Sequence, residues 1–130
     1  MPIVKIEMPA GKPAQYKKSV LDGVHQALVD AFKIPDHDRN QRIYELSPAD
    51  REMPPDKTTD HIIIEITAFQ GRSIVAKRNL YKNIVEELAG RVGVKVDDVT
   101  IVLHEVPMEN WGVRGGKPAS EVDIGFKVKV

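Results

Sequence analysis

The sequence predicts an α+β fold in which two tandem β-α-β units share one four-stranded mixed sheet, with two antiparallel helices on one face and a further strand at the C-terminus. Three observations lead there. First, sliding the chain against itself lays Gly11 on Gly71. The match continues with Ile3 on Ile63, Ile6 on Ile66, Lys12 on Arg72, Lys17 on Lys77, Leu28 on Leu88, Asp38 on Asp98 and Glu45 on Glu105, the mark of a duplicated unit. Second, each copy opens on an alternating or apolar run of strand length. Third, each copy then carries apolar residues at the spacing of one helical face.

In the first copy, Ile3 to Met8 alternates, with Val4, Ile6 and Met8 on one side. After Gly11 the apolar residues Val20, Leu21, Val24, Leu28, Ala31 and Phe32 trace a helical stripe. Pro13 suits the first turn of that helix, where a missing N–H costs nothing. Ile34-Pro35 ends it, and Gln41 to Leu46 reads as the second strand. In the second copy, Ile62 to Phe69 is more uniformly apolar, as a strand covered on both faces would be. Tyr81, Ile84, Val85, Leu88 and Val92 form the helical stripe, Gly93 breaks it, and Val99 to Val106 returns as a strand. Each unit thus holds a parallel strand pair joined by a right-handed crossover.

The expected organisation is a single domain over 1–130: repeat one 2–46, a linker 47–60, repeat two 61–106 and a tail 107–130. The linker SPADREMPPDKTTD is polar, proline-rich and aperiodic. The tail begins irregular and glycine-rich, then alternates from Val122 to Val130, which reads as an edge strand or as a segment pairing with a neighbouring chain.

Composition narrows the function. Nineteen Lys and Arg balance nineteen Asp and Glu, so the basic face on which nucleic-acid affinity rests is missing. There are no cysteines, which removes disulfides, thiolate metal sites and cysteine nucleophiles. No apolar run has the length of a membrane span. Lys5 and Glu7 interrupt what a signal peptide would keep apolar. These readings point to a soluble cytoplasmic protein with no nucleic-acid or membrane partner. Near-zero net charge also permits self-association.

The chemistry is expected at Pro2. Removal of Met1 would leave a secondary amine with an ordinary pKa of about 8, which partial burial lowers toward neutrality, where a general base works best. If the two units pack about a pseudo-twofold axis, Pro2 lies beside Phe69-Gln70-Gly71-Arg72 and beside Asp36-His37-Asp38-Arg39. Arg72, at a helix N-terminus, is then a carboxylate receptor. At the pseudo-symmetric end Ile62 replaces Pro2 and Lys12 replaces Arg72, so one reactive site per chain is expected. The four histidines show no metal-site spacing, and Gly112 to Gly116 lacks the context of a phosphate loop.

The N-terminal proline, the duplicated β-α-β plan, the segment Ile62 to Ser73, the Val94 to Asp98 stretch and Asn110-Trp111-Gly112 together resemble the tautomerase superfamily, in particular its fused members typified by malonate semialdehyde decarboxylase. The resemblance covers nearly the whole chain. It implies a homotrimer, no metal or organic cofactor, and a proline that moves protons on a small-molecule carboxylate substrate. Asp38 matches the assisting aspartate and Arg72 the second of two arginines, while Gln70 stands where the first would be. Trp111 matches an aromatic that walls the pocket.

Three functions follow as expectations. The preferred one is a cofactor-independent isomerase that interconverts enol and keto forms of a 2-oxo acid. Pro2 acts as base there, Arg72 and Gln70 bind carboxylate and developing charge, and Trp111 excludes water. The second is a decarboxylase or hydratase in which Pro2 is cationic and Asp38 orients water or substrate. The third is a non-catalytic oligomer or small-molecule binding protein of the same fold.

Overall fold

The computed structural model describes residues 2–130. The strands are β1 (Ile3–Pro9), β2 (Gln41–Leu46), β3 (Ile62–Phe69) and β4 (Val99–Val106), in the sheet order β2-β1-β3-β4. β1 pairs with β2 in parallel and β3 with β4 in parallel, while β1 and β3 meet antiparallel at the centre with Ile6 opposite Ile64. The two helices, α1 (Ala14–Phe32) and α2 (Ile74–Val92), are the crossovers of the two units and pack against each other. This is the expected α+β sheet.

Local chemistry sets the helix ends. Pro13 is the N-cap of α1 with φ −69° and leaves no N–H to orphan. Ser73 caps α2 by accepting the Ala76 N–H at 3.1 Å. Gly93, at φ 71°, ends α2 in the left-handed conformation that glycine adopts without strain. Gly23 lets the helices approach: a Cβ there would come 3.1 Å from Arg91 Cδ and 3.2 Å from Glu87 Cβ.

The core lies between the helices and one face of the sheet. Val4, Ile6, Met8, Ile62, Ile64 and Ile66 supply the sheet side, and Val24, Leu28, Leu80, Ile84 and Leu88 the helix side. Each large aliphatic chain removed from water contributes about 1.5–3 kcal/mol. At the edges of that face polar residues turn inward to meet the helices: Lys17 pairs with Glu45 at 2.8 Å, Lys77 with Glu105, and Gln41 donates to the Leu21 carbonyl at 2.9 Å. The opposite face carries no helix. Strand alternation puts Lys5, Tyr44, Glu65, Thr67, Val102 and His104 on it, with Tyr44 44% and Val102 39% exposed.

The linker crosses the molecule under tight control. Asp98 is buried and accepts hydrogen bonds from the Thr58 N–H at 2.8 Å and from the Thr58 hydroxyl. Lys57 Nζ donates to the Asp97 carbonyl at 2.6 Å. No helix among the described residues is long and apolar enough to cross a membrane.

The C-terminal region differs from expectation in position. Its strands are β5 (Gly112–Val113) and β6 (Lys117–Pro118), an antiparallel hairpin, and 122–130 has no ladder partner. The alternating residues of the tail serve another purpose. Phe126 and Val130 pack against the main core, and the Ser73 hydroxyl donates to the Val130 carbonyl at 2.8 Å. Gly71 makes room for this strap: its φ is 133°, and a Cβ would lie 3.0 Å from Val128 Cγ1.

Two outcomes follow. Gly71→Ala lowers the unfolding free energy by about 1–3 kcal/mol, read by urea titration. Adding Val128→Ala recovers the steric share but not the backbone share, and an unchanged midpoint in the single variant contradicts the close approach. The second concerns acid. The Thr58 hydroxyl and amide hold the Asp98 carboxyl below its ordinary range. A folded value below the unfolded one stabilises the fold above the unfolded value of about 3.9 and is lost as pH falls through the folded value. Asp98→Asn therefore starts less stable near pH 7 but shows a shallower fall of Tm between about pH 5 and 2, measured by thermal melts. Parallel slopes in both proteins would refute this.

Candidate functional site

The antiparallel pairing of β1 with β3 decides what surrounds Pro2. Ile3 lies opposite Thr67, so one step further along the same ladder Pro2 lies beside Ala68, next to the end of β3. On the other side the Val4 N–H donates to the Asn40 carbonyl at 3.0 Å, which sets Pro2 beside the entry to β2. Pro2 is buried. The expected removal of Met1 concerns a residue outside the described ones.

Arg72 sits where β3 hands over to α2 and is only 6% exposed. Its Nη1 donates to the Phe69 carbonyl at 3.0 Å, and the guanidinium stacks 4.7 Å from the centroid of the Phe32 ring at the end of α1. Its Nε is buried without a hydrogen-bond partner. Burial pushes the guanidinium below its ordinary value, and the Glu105 and Asp38 carboxylates partly offset this. It remains a cation at neutral pH. Arg72 and Asp38 are therefore within electrostatic reach of each other across the end of the sheet.

Asp38 is half-buried in the turn before β2, and its N–H donates to the Pro35 carbonyl at 3.0 Å. His25, buried on α1, braces that turn: its Nε2 lies 2.7 Å from the Asp36 carbonyl oxygen and donates to it. Arg39, next along, is taken up by Asp22 at 2.8 Å. Lys18 and Arg39 together hold the Asp22 carboxyl down at about 2.

Asp38 opens onto a cavity of about 330 Å³ lined also by Pro35, His37, Arg39, Asn40, Arg114, Ile124 and Phe126. Arg114 was not singled out in the sequence. It belongs to the β5–β6 turn at φ 49°, followed by Gly115 and Gly116 at φ 83° and 92°. Only chain folding brings this turn opposite Asp38, and a lone arginine among glycines carries no periodic signal.

Trp111 meets Phe69 edge-on, with ring centroids 4.8 Å apart at 65°. Its Nε1 is buried without a partner. Gln70 is exposed and lines a separate recess with Gly71, Pro107, Met108, Glu109, Ser120 and Lys129. The structure thus gathers Pro2, Asp38 and Arg72 at one end of the sheet, sets Trp111 against the adjoining Phe69, and turns Gln70 toward a neighbouring surface.

The pseudo-symmetric end is built differently. Ile62 occupies the place of Pro2 and is fully buried. Lys12, in the place of Arg72, is bound by Asp60 at 2.8 Å, and this hydrogen bond raises its pKa. Arg51 donates to the His61 carbonyl at 2.7 Å. A cavity of about 250 Å³ exists there, but its lysine is neutralised by the chain itself. Among the described residues, no three His, Asp or Glu side chains converge as a metal site would need.

Two family models match the chain, both described as tautomerase enzyme, one over residues 38–114 and one over 2–58. A probable tautomerase of Bacillus subtilis, YusQ, is 25% identical over 122 residues, covering 90% of this chain and 96% of that protein. Malonate semialdehyde decarboxylase superposes with a TM-score of 0.80 at 27% identity, covering 87% of this chain and 92% of the other. A trimeric wild-type fused 4-OT superposes with a TM-score of 0.81 at 24% identity, covering 91% of this chain and 96% of the other. With the larger match spanning more than half its length and the duplicated sheet reproduced in solved relatives, the chain belongs to the tautomerase family.

Proposed function

We propose that the protein is a cofactor-independent tautomerase that interconverts enol and keto forms of a 2-oxo acid, with Pro2 as general base once Met1 is removed. One observation carries this reading: a buried guanidinium with an unspent N–H stands within reach of Asp38, at the sheet end to which the β1–β3 ladder leads Pro2. A cation held in a water-poor setting depresses the pKa of an amine nearby and favours a dienolate as it forms. Neutral Pro2 removes the proton from the enol hydroxyl and delivers it to carbon. Arg72 opposes the negative charge, and Asp38 orients substrate at the cavity mouth. Trp111, against Phe69, limits access of water. Gln70 faces the neighbouring recess, so the reading rests charge stabilisation on Arg72.

The relationship to malonate semialdehyde decarboxylase, with Asp38 retained beside Arg72, favours decarboxylation or hydration as the second reading. The two ask for opposite states of one amine. Nitrogen-15 NMR titration of Pro2 is expected to give a value of about 6–7 for the base, whereas about 9 belongs to the acid of the second reading. Pro2→Ala is expected to lower kcat/KM toward phenylenolpyruvate or 2-hydroxymuconate by about 10²–10⁴. Equal rates in parent and variant, with intact mass showing Met1 absent from the parent, would remove the proline from the mechanism.

A homotrimer fits the uncovered sheet face, where Tyr44 and Val102 are open to solvent beside Lys5 and Glu65. Burying that face satisfies its apolar residues without disturbing the helices. Light scattering after size exclusion is expected to return about three chain masses. A monomer at micromolar concentration would count against this assembly.

A further inference from the structure

We propose that His25 is a positioning residue: with Asp22 it clamps the turn that carries Asp38 from both sides and so fixes where that carboxylate stands at its cavity; this rests on the tautomerase reading for the work Asp38 does. The turn lies between α1 and β2, and one face of α1 grips it at three points. The His25 Nε2–H donates to the Asp36 carbonyl at 2.7 Å. The Asp22 carboxylate accepts from Arg39 Nη2 at 2.8 Å, and the Leu21 carbonyl accepts from Gln41 at 2.9 Å. Asp38 thus has one fastened neighbour two residues before it and another directly after it. Its own N–H closes the turn on the Pro35 carbonyl at 3.0 Å.

The duplication separates this clamp from what the fold itself requires. Sixty residues on, Asp22, His25, Asp36, Arg39 and Gln41 are matched by Lys82, Val85, Val96, Val99 and Ile101. Val99 and Ile101 pack on the core, and Lys82 turns to Glu86 on its own helix at 3.9 Å. The matching turn is held from the linker instead, by Thr58 on Asp98. Repeat two therefore closes the same β-α-β plan with valine where repeat one places a histidine that is only 3% exposed. A buried imidazole needs a hydrogen-bond partner and an aliphatic side chain does not, so the fold alone does not call for His25. Only the repeat whose turn borders Pro2 carries the polar set. Of its grips, the Asp22–Arg39 pair is partly open to solvent and weak by itself. The His25 bond is buried, and losing it takes the donor from the Asp36 carbonyl.

The test is turnover of phenylenolpyruvate by the full chain, read together with amide hydrogen exchange. His25→Leu is expected to lower kcat/KM about 10- to 100-fold, the effect of a displaced group at a reacting centre, and to speed exchange at the Asp38 and Arg39 N–H groups. His25→Gln, whose amide N–H can stand where the Nε2–H stood, recovers most of both. In an Asp38→Asn background, His25→Leu costs less than about twofold more, whereas a merely structural role would cost the same in either background. Asp98→Asn, which loosens the matching turn of repeat two, leaves kcat/KM as in the parent. Should His25→Leu not fold, Asp22→Ala carries the same cycle with a loss of about two- to fivefold. Losses that multiply in the cycle, an equal loss in Asp98→Asn, full activity in Asp38→Asn, His25→Gln no better than His25→Leu, or unchanged exchange at Asp38 and Arg39 overturns the proposal. A parent without turnover sinks the tautomerase reading, and the exchange arm then decides the clamp alone: faster exchange in His25→Leu keeps it and unchanged exchange ends it.

Discussion

The central antiparallel pairing of β1 with β3 is the constraint from which the site descends. Each β-α-β unit, taken alone, has its first strand starting at one end of the sheet and its helix starting at the other. Only a neighbour running the opposite way brings the beginning of β1 to the beginning of α2. With Ile6 opposite Ile64, Pro2 arrives beside Ala68, and Arg72 is four residues further on. Register matters as much as direction. A slip of one residue would turn Val4, Ile6 and Met8 away from the helices, and a slip of two would carry Pro2 about 7 Å along the strand. The core therefore enforces the site geometry, because Ile6 and Ile64 cannot leave their places without exposing apolar surface.

Duplication alone would produce two equivalent ends, yet the ends are chemically unlike. At one, the guanidinium of Arg72 is buried with one nitrogen unsatisfied and two carboxylates at a distance. At the other, Lys12 is closed off by Asp60 and Asp98 is bound by Thr58. Both of those inner partners, Thr58 and Asp60, come from the linker between the repeats. The peptide that joins the halves thus supplies the carboxylate that answers Lys12 and the donors that hold Asp98. At the other end the carboxylates of Glu105 and Asp38 act on Arg72 only through their fields.

Much of this was legible in the residues. The strands and helices follow from alternation at Val4, Ile6 and Met8 and from the stripe through Leu28 and Phe32, because these patterns reflect burial directly. The offset match of Gly11 with Gly71 and of Lys12 with Arg72 identified the two ends, and the antiparallel centre placed Pro2, Asp38 and Arg72 together. The tail was harder to read. Its alternation from Val122 to Val130 is the pattern of a strand, but the same alternation serves a strap whose Phe126 and Val130 sit on the core while Lys127 and Lys129 face water. The surroundings of Gln70 and Arg114 were not legible for a related reason. Neighbours in sequence need not share a cavity, and a turn gains its surroundings only when the hairpin folds back.

Arg72 shows how the fold and the chemistry compete for one side chain. Burying a guanidinium costs several kcal/mol after relaxation, and the Phe69 carbonyl and the Phe32 ring recover only part of that. A methionine of similar volume would be a cheaper core residue, so stability alone does not account for an arginine there. What a buried cation does provide is a field that water does not screen, aimed at the end of β1. On the proposed reading, that field favours a neutral amine at Pro2 and opposes developing negative charge without contact with either. A group serving as a source of field can be held rigidly inside the core, while a group serving as a handle for the substrate must be reachable from solvent.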